Sequence, residues 1–133
     1  MFTFSIRLKN EFQGEATVSL LDENLIEIYV PNHKCYDSID ILKLINCTKK
    51  MSLCDKIKYL IVIDEQTRFT NEAIKLFILK NRNRAEHIAA EAIVYRSVMQ
   101  NYHLNLYYNC NKDYYNIKFF QSYSDAYLWL NKL

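Results

Sequence analysis

The sequence has 133 residues, 50% of them hydrophobic and 24% charged, with 17 Lys and Arg against 15 Asp and Glu. This is the composition of one ordinary globular domain, and a formal charge of +2 leaves no electrostatic footprint for a duplex nucleic acid or an anionic membrane. One Gly (Gly14) and one Pro (Pro31) cannot build a Walker loop, a Gly-rich dinucleotide turn or a flexible linker.

Residues 1–15 read as an extra strand or a loose arm. Ala16 to Leu21 and Leu25 to Val30 are strand-like runs around Asp22-Glu23-Asn24, a hairpin that places Ile26, Ile28 and Val30 on one face and Glu27 on the other. Pro31 and Asn32 end it. Asp37 or Ser38 then caps a helix that carries Ile41, Leu42, Leu44 and Ile45 to about Lys50. Tyr59 to Asp64 is continuously apolar up to its last residue, the pattern of a strand buried on both faces. Thr70 caps a second helix with Ala73, Ile74, Phe77 and Ile78 at helical spacing. That helix ends in the basic stretch from Lys80 to Arg84, where positive charge complements the helix dipole.

Ala89 to Tyr95 is another continuous strand. The third helix is expected to carry Val98, Met99, Tyr102 and Leu106 along one side. Tyr115 to Phe120 is the last strand, and Ser122 or Ser124 caps a final helix with Ala126, Trp129, Leu130 and Leu133 as its core-facing stripe. Strands alternating with helices of this length predict a mainly parallel sheet joined by right-handed crossovers. The expected architecture is one α/β domain over residues 1–133. It has about five strands in a mixed, mainly parallel sheet, helices packed on it and an N-terminal β-hairpin.

The four cysteines (Cys35, Cys47, Cys54 and Cys110) show no Cys-x-x-Cys spacing. The first residues lack the apolar stretch of a secretory signal. Free thiols in a reducing cytoplasm are therefore expected. No apolar run approaches bilayer length, so an integral membrane protein is not expected.

Candidate chemistry is sparse. His33, His87 and His103 stand in no metal-ligand spacing, and no metal or cofactor is expected. His33 lies two residues from Cys35 on an irregular segment, with no third group to orient a Cys–His pair. Asp64, followed by Glu65, ends a buried strand, the place where α/β folds put functional groups, although a carboxylate there also caps turns. Lys80, Arg82, Arg84 and His87 are diluted by Glu86 and Glu91 and read as a solvated helix end. No catalytic residue is assigned.

The strand LIVID at 60–64, the Thr-capped helix TNEAIKLF at 70–77, the strand AEAIVY at 90–95 leading into RSVMQNYHLNLYYN, and the ending KFFQSYSDAYLWLNKL resemble the small bacterial SpoIIAA-like or STAS-like proteins. The likeness covers residues 16–133. It implies a SpoIIAA/STAS-like fold and a role in binding partner proteins, nucleotides or lipids. In the anti-sigma-factor antagonists of that superfamily a kinase phosphorylates a Ser or Thr at the start of the helix after the central strand. Thr70, and less well Thr67, stands at that place here, without the usual Asp-Ser-Ser-Gly run. The resemblance thus implies a non-enzymatic regulatory or protein-interaction module. Its contact surface would hold Asp64, Glu65, Arg68, Phe69, Asn71 and Phe77, and its partner would be another protein or a second copy as a homodimer. The alternative is a small-ligand domain for a nucleotide or lipid, with an apolar cavity lined by residues such as Phe77, Met99 and Tyr102.

Overall fold

The computed structural model describes residues 2–6, 16–32, 35–52, 54–97 and 101–133. Six strands form one sheet in the order of the chain: β1 (Phe2–Ile6), β2 (Ala16–Asp22), β3 (Leu25–Val30), β4 (Ile57–Ile63), β5 (Ile88–Val94) and β6 (Asn116–Phe120). The first three pair antiparallel, and β3 through β6 are all parallel. Residues 2–6 thus add a sixth strand to the expected five, on the edge beside β2. Residues 7–15 lie outside the described residues.

Each parallel step is made by a helix: α1 (Ser38–Met51), α2 (Asn71–Asn83) and α3 (Asn101–Asn111). Right-handed crossovers repeated in one direction across a sheet put all three helices on the same face. Burial follows that rule. Ile41, Leu44, Ile45, Ile74, Ile78 and Leu104 pack in one cluster with Ile26, Ile28, Ile61, Ile63 and Ile93. The last helix, α4 (Tyr123–Asn131), follows β6 and covers the opposite face. There Ala126 and Leu130 pack with Leu25, Leu60, Val62, Ala90, Ala92 and Val94.

Local chemistry sets the helix starts. Asp37 rather than Ser38 caps α1, in a reciprocal box: Asp40 N donates to Asp37 Oδ1 at 3.0 Å and Asp37 N donates to Asp40 Oδ2 at 3.2 Å. Thr70 caps α2 by accepting from Ala73 N at 3.0 Å. Ser122 rather than Ser124 caps α4, accepting from Asp125 N. Each of these bonds satisfies an amide that the helix leaves without a carbonyl.

Two expected stripes need correction. On α3, Tyr102 is 71% exposed and Leu106 37% exposed, while Leu104, Tyr107 and Asn111 are buried. That spacing of three and four still makes one helix face, but the face carries a tyrosine and an asparagine because buried polar partners await them. Val98 and Met99 lie outside the described residues. On α4, Ala126 and Leu130 are fully buried and Trp129 only partly so, whereas Leu133 lies past the helix end and is exposed. No helix among the described residues is long and apolar enough to cross a membrane.

The two sides of α4 set up a direct comparison. Leu130→Ala, at a side chain with no exposed surface, is expected to lower stability by about 3 kcal/mol through lost burial and the cavity left behind. Leu128→Ala, at a 55% exposed position, is expected to cost less than about 0.5 kcal/mol. Chemical denaturation of both variants measures the difference, and equal losses would contradict this seating of α4.

Candidate functional site

The carboxyl ends of β3 and β4, where the sequence directs attention, are held by a clamp between two loops. Tyr36 and Phe69 form an isolated parallel bridge in which Tyr36 N donates to Arg68 O at 2.8 Å and Thr70 N donates to Tyr36 O at 3.0 Å. Thr67 is 1% exposed, and its hydroxyl donates to the carbonyls of Val30 and Pro31. Asp64 Oδ2 accepts from the Tyr29 hydroxyl at 2.5 Å and from Asn32 N at 3.2 Å. That short bond to a carboxylate holds the Tyr29 hydroxyl proton and pushes its pKa up to about 12. Asp64 is therefore bonded across to β3 and the loop after it, within the clamp.

The expected contact surface divides in two. Glu65, Arg68 and Asn71 are exposed and Thr70 is half-buried. Phe69 and Phe77 point inward. Phe69 packs on Tyr36 with ring centroids 5.8 Å apart, and Phe77 stacks on Tyr107 at 4.9 Å.

Those two phenylalanines line a cavity of about 60 Å³ between the sheet and the three crossover helices. Its walls come from β3 (Ile28, Val30), β4 (Ile61, Ile63), α1 (Ile41, Ile45) and their neighbours on α2 and α3. Apart from a few groups, the lining is aliphatic or aromatic. The exceptions include Thr48, Tyr59, Asn81, Arg84, Glu91, His103 and Tyr107. Of the cavity residues expected from sequence, Phe77 lines it, Tyr102 does not, and Met99 is outside the described residues. Leu104 and Tyr107 take the place of Tyr102 because they lie on the buried face of α3.

Glu91 is the residue that sequence reasoning misplaced. It does not dilute the basic end of α2; it is 1% exposed in the middle of β5. Asn81 Nδ2 donates to Glu91 Oε2 at 3.2 Å, and the Tyr107 hydroxyl donates to Glu91 Oε1. The Tyr107 hydroxyl also bonds the Tyr115 hydroxyl and accepts from Asn81 Nδ2 at 2.9 Å. Asn111 closes the group, donating to the Tyr115 hydroxyl and to Ile78 O. Desolvation raises the Glu91 carboxyl from 4.5 to about 7, with its tyrosine bonds and the Arg84 charge opposing the rise. The Tyr107 and Tyr115 hydroxyls are likewise pushed up by burial and by the facing carboxylate. A signal for Glu91 was present in the sequence: it is the one charged residue in the strand IAAEAIV.

The basic stretch is partly structural. Arg82 Nη2 donates to Cys110 O at 2.8 Å and its guanidinium lies over the Tyr114 ring; Arg84 Nη2 donates to the Tyr59 hydroxyl at 2.6 Å. His87 is exposed and contacts Asp55 O and Glu86; His103 contacts Asn71 Oδ1. His33 lies outside the described residues. Among the described residues no group of three His, Cys, Asp or Glu side chains could hold a metal ion. Cys35 and Cys54 are exposed, Cys47 and Cys110 half-buried, and all four are free thiols.

A family model described as a domain of unknown function (DUF7793) matches residues 20–133. The fold is similar to the crystal structure of an uncharacterised protein of the DUF3478 family, with a SpoIIAA-like fold, from Shewanella loihica PV-4. The TM-score is 0.56 at 12% identity, covering 97% of this chain and 94% of that one. The expected SpoIIAA-like α/β fold is therefore confirmed. No curated protein matches the sequence.

The buried carboxyl gives a pH dependence with a definite sign. Its pKa is higher folded than unfolded, so its contribution is fully present below pH 4.5 and is lost as the pH rises to about 7. The loss is on the order of 3 kcal/mol. His103, held below its usual range by burial, contributes with the opposite sign, weakening the fold as the pH falls toward 6 and below. The difference between the wild type and Glu91→Gln isolates the carboxyl. That difference is expected to grow in favour of Glu91→Gln from pH 5 to pH 8 in urea denaturation; a flat difference would contradict it.

Proposed function

Taking as premise that the chain belongs to the DUF7793 family, which names a domain without an assigned function, we propose that it works by binding rather than catalysis. Its ligand is a small, mostly apolar molecule held between the sheet and helices α1 to α3. The observation that supports this reading is the cavity of about 60 Å³. Close-packed interiors rarely keep voids larger than a water, and an apolar void of this size forfeits dispersion contacts that an occupant restores. Of the two readings carried by the sequence, the small-ligand domain accounts for this feature and the interaction module does not. Its ligand is small: the space matches a short apolar group rather than a nucleotide.

A second reading keeps the exposed half of the expected surface. Thr70 is half-buried at the N-terminus of α2, beside exposed Arg68, Asn71 and Glu72. A phosphate there would meet free amides and the positive end of the helix dipole, altering a surface offered to another protein or a second copy. Thr67, with its hydroxyl buried, does not share that role in the folded chain. Mass spectrometry of protein purified from its own host tests this reading. A phosphate on the peptide carrying Thr70 supports it, and unmodified protein in every growth state argues against it.

Pentan-1-ol is a neutral probe for the cavity. At a concentration ten times its Kd, it is expected to stabilise the fold by about 1.4 kcal/mol, read as a rise in melting temperature. Ile61→Phe, which fills the cavity from β4, is expected to abolish that rise while leaving the far-ultraviolet circular dichroism unchanged. No rise in the wild type, or an equal rise in Ile61→Phe, would refute the cavity as the binding site.

A further inference from the structure

Strand β6 ends the sheet, and among the described residues no other strand pairs with its outer edge. Phe120 O accepts from Tyr95 N at 3.1 Å. By the alternation of a strand, the backbones of Asn116, Lys118 and Phe120 therefore turn toward β5, and those of Ile117 and Phe119 turn outward. Ile117 and Phe119 each offer one N–H and one C=O to an added strand. The side chains give this edge two different sides. Ile117 and Phe119 face the crossover helices, and the Phe119 ring lies 5.7 Å from Tyr108 and 6.0 Å from Tyr95. Lys118 is exposed on the α4 side, its Nζ 5.3 Å from the Phe120 ring centroid and 5.9 Å from that of Trp129. Lys112, exposed just after α3, lies over the Tyr108 ring at 5.7 Å. Among the described residues neither ammonium has a carboxylate within ion-pair distance. Ring faces hold both in place and leave their charge unpaired.

We propose that the β6 edge binds an extended segment of another protein in which acidic and apolar residues alternate, added to the sheet as a further strand. The outward backbone groups of Ile117 and Phe119 supply affinity, and alternate side chains supply the choice of partner. Apolar residues of the segment lie beside Ile117 and Phe119, and acidic residues lie beside Lys118. This inference is independent of the cavity. Two other occupants fit the edge less well. A second copy, paired antiparallel over the whole of β6, would set two Lys118 ammoniums face to face, which is destabilising. A single-stranded nucleic acid needs open ring faces on which its bases stack. Here the ammoniums of Lys112 and Lys118 lie over the rings of Tyr108, Phe120 and Trp129.

The one Trp of the chain, Trp129, stands beside Lys118 and reports on this edge through its fluorescence. The probe is the acetylated, amidated peptide Thr-Val-Glu-Val-Glu-Val-Thr. One control carries Lys in place of Glu, and a second carries N-methyl groups on its Val and Glu amides. At low salt the wild type is expected to bind the Glu peptide about tenfold more tightly than the Lys peptide, and Lys118→Glu is expected to reverse that order. N-methylation keeps every side chain and removes the backbone donors, so it is expected to abolish binding. Lys118→Gln is expected to bring the two peptides level, and it decides the matter if Lys118→Glu does not fold. An N-methylated peptide that binds as well as its parent overturns strand addition. Equal binding of the Glu and Lys peptides to the wild type, or a preference that survives in the folded variants, overturns the role of Lys118. No Trp129 response to the Glu peptide, or a response to oligouridylate alone, overturns the proposal as a whole. Dimerisation of Lys118→Gln in sedimentation, with no peptide bound by the wild type, overturns it too and leaves Lys118 as a guard of the edge.

Discussion

The handedness of the crossover between parallel strands governs this molecule. Strands β3 to β6 are laid down in one direction, so a right-handed turn at each step sends α1, α2 and α3 to the same side. A doubly wound sheet reverses direction and shares its helices between faces; this one does not. One face therefore carries a layer of three helices and the other a single helix, α4. The cavity lies under the thick layer, where side chains from three helices must meet a twisted surface, and a slot along β4 is where they fail to close.

The buried polar group belongs to the same layer. An ionised carboxylate inside a protein is costly unless its bonds are made. Glu91 answers that with donors from two helices: Asn81 on α2 and Tyr107 on α3. Tyr115 and Asn111 extend the network to the start of β6. These bonds have direction, which aliphatic contacts lack, so they fix how α2 and α3 are rotated above β5. They also explain why α3, whose buried face is a leucine, a tyrosine and an asparagine, sits on the sheet at all.

Much of this was legible in the sequence. The continuous apolar runs of β4 and β5, the hairpin around Glu23 and Asn24, and the cap at Thr70 each follow from local rules that the fold obeys. Residues 2–6 gave no clear period, and pairing with β2 decided their structure. The α3 stripe was placed on Tyr102 and Leu106, whereas Leu104, Tyr107 and Asn111 make the regular buried face. The cavity was not legible in position, since its walls come from three strands and three helices far apart in the chain. Glu91 was visible as a lone charge in an apolar strand, but its partners lie up to 24 residues away and belong to no motif.

Strand order has a consequence for how the chain assembles. Every strand after β1 pairs with the strand just before it in sequence, but in the parallel part each partner lies a whole crossover away, as Lys58 does from Leu25 and Ala90 does from Lys58. Each parallel step must close the loop of a whole helical crossover before its backbone bonds reward it, and parallel pairing is slow on that account. The sheet can grow from its N-terminal edge in the order in which synthesis delivers it. Only α4 reaches back, passing over β6 and β5 toward β4, where Lys58 Nζ donates to Leu133 O. Helix α4 is thus the element that closes the open face, and until it docks, a sheet already formed presents Leu60, Val62, Ala90 and Ala92 to water.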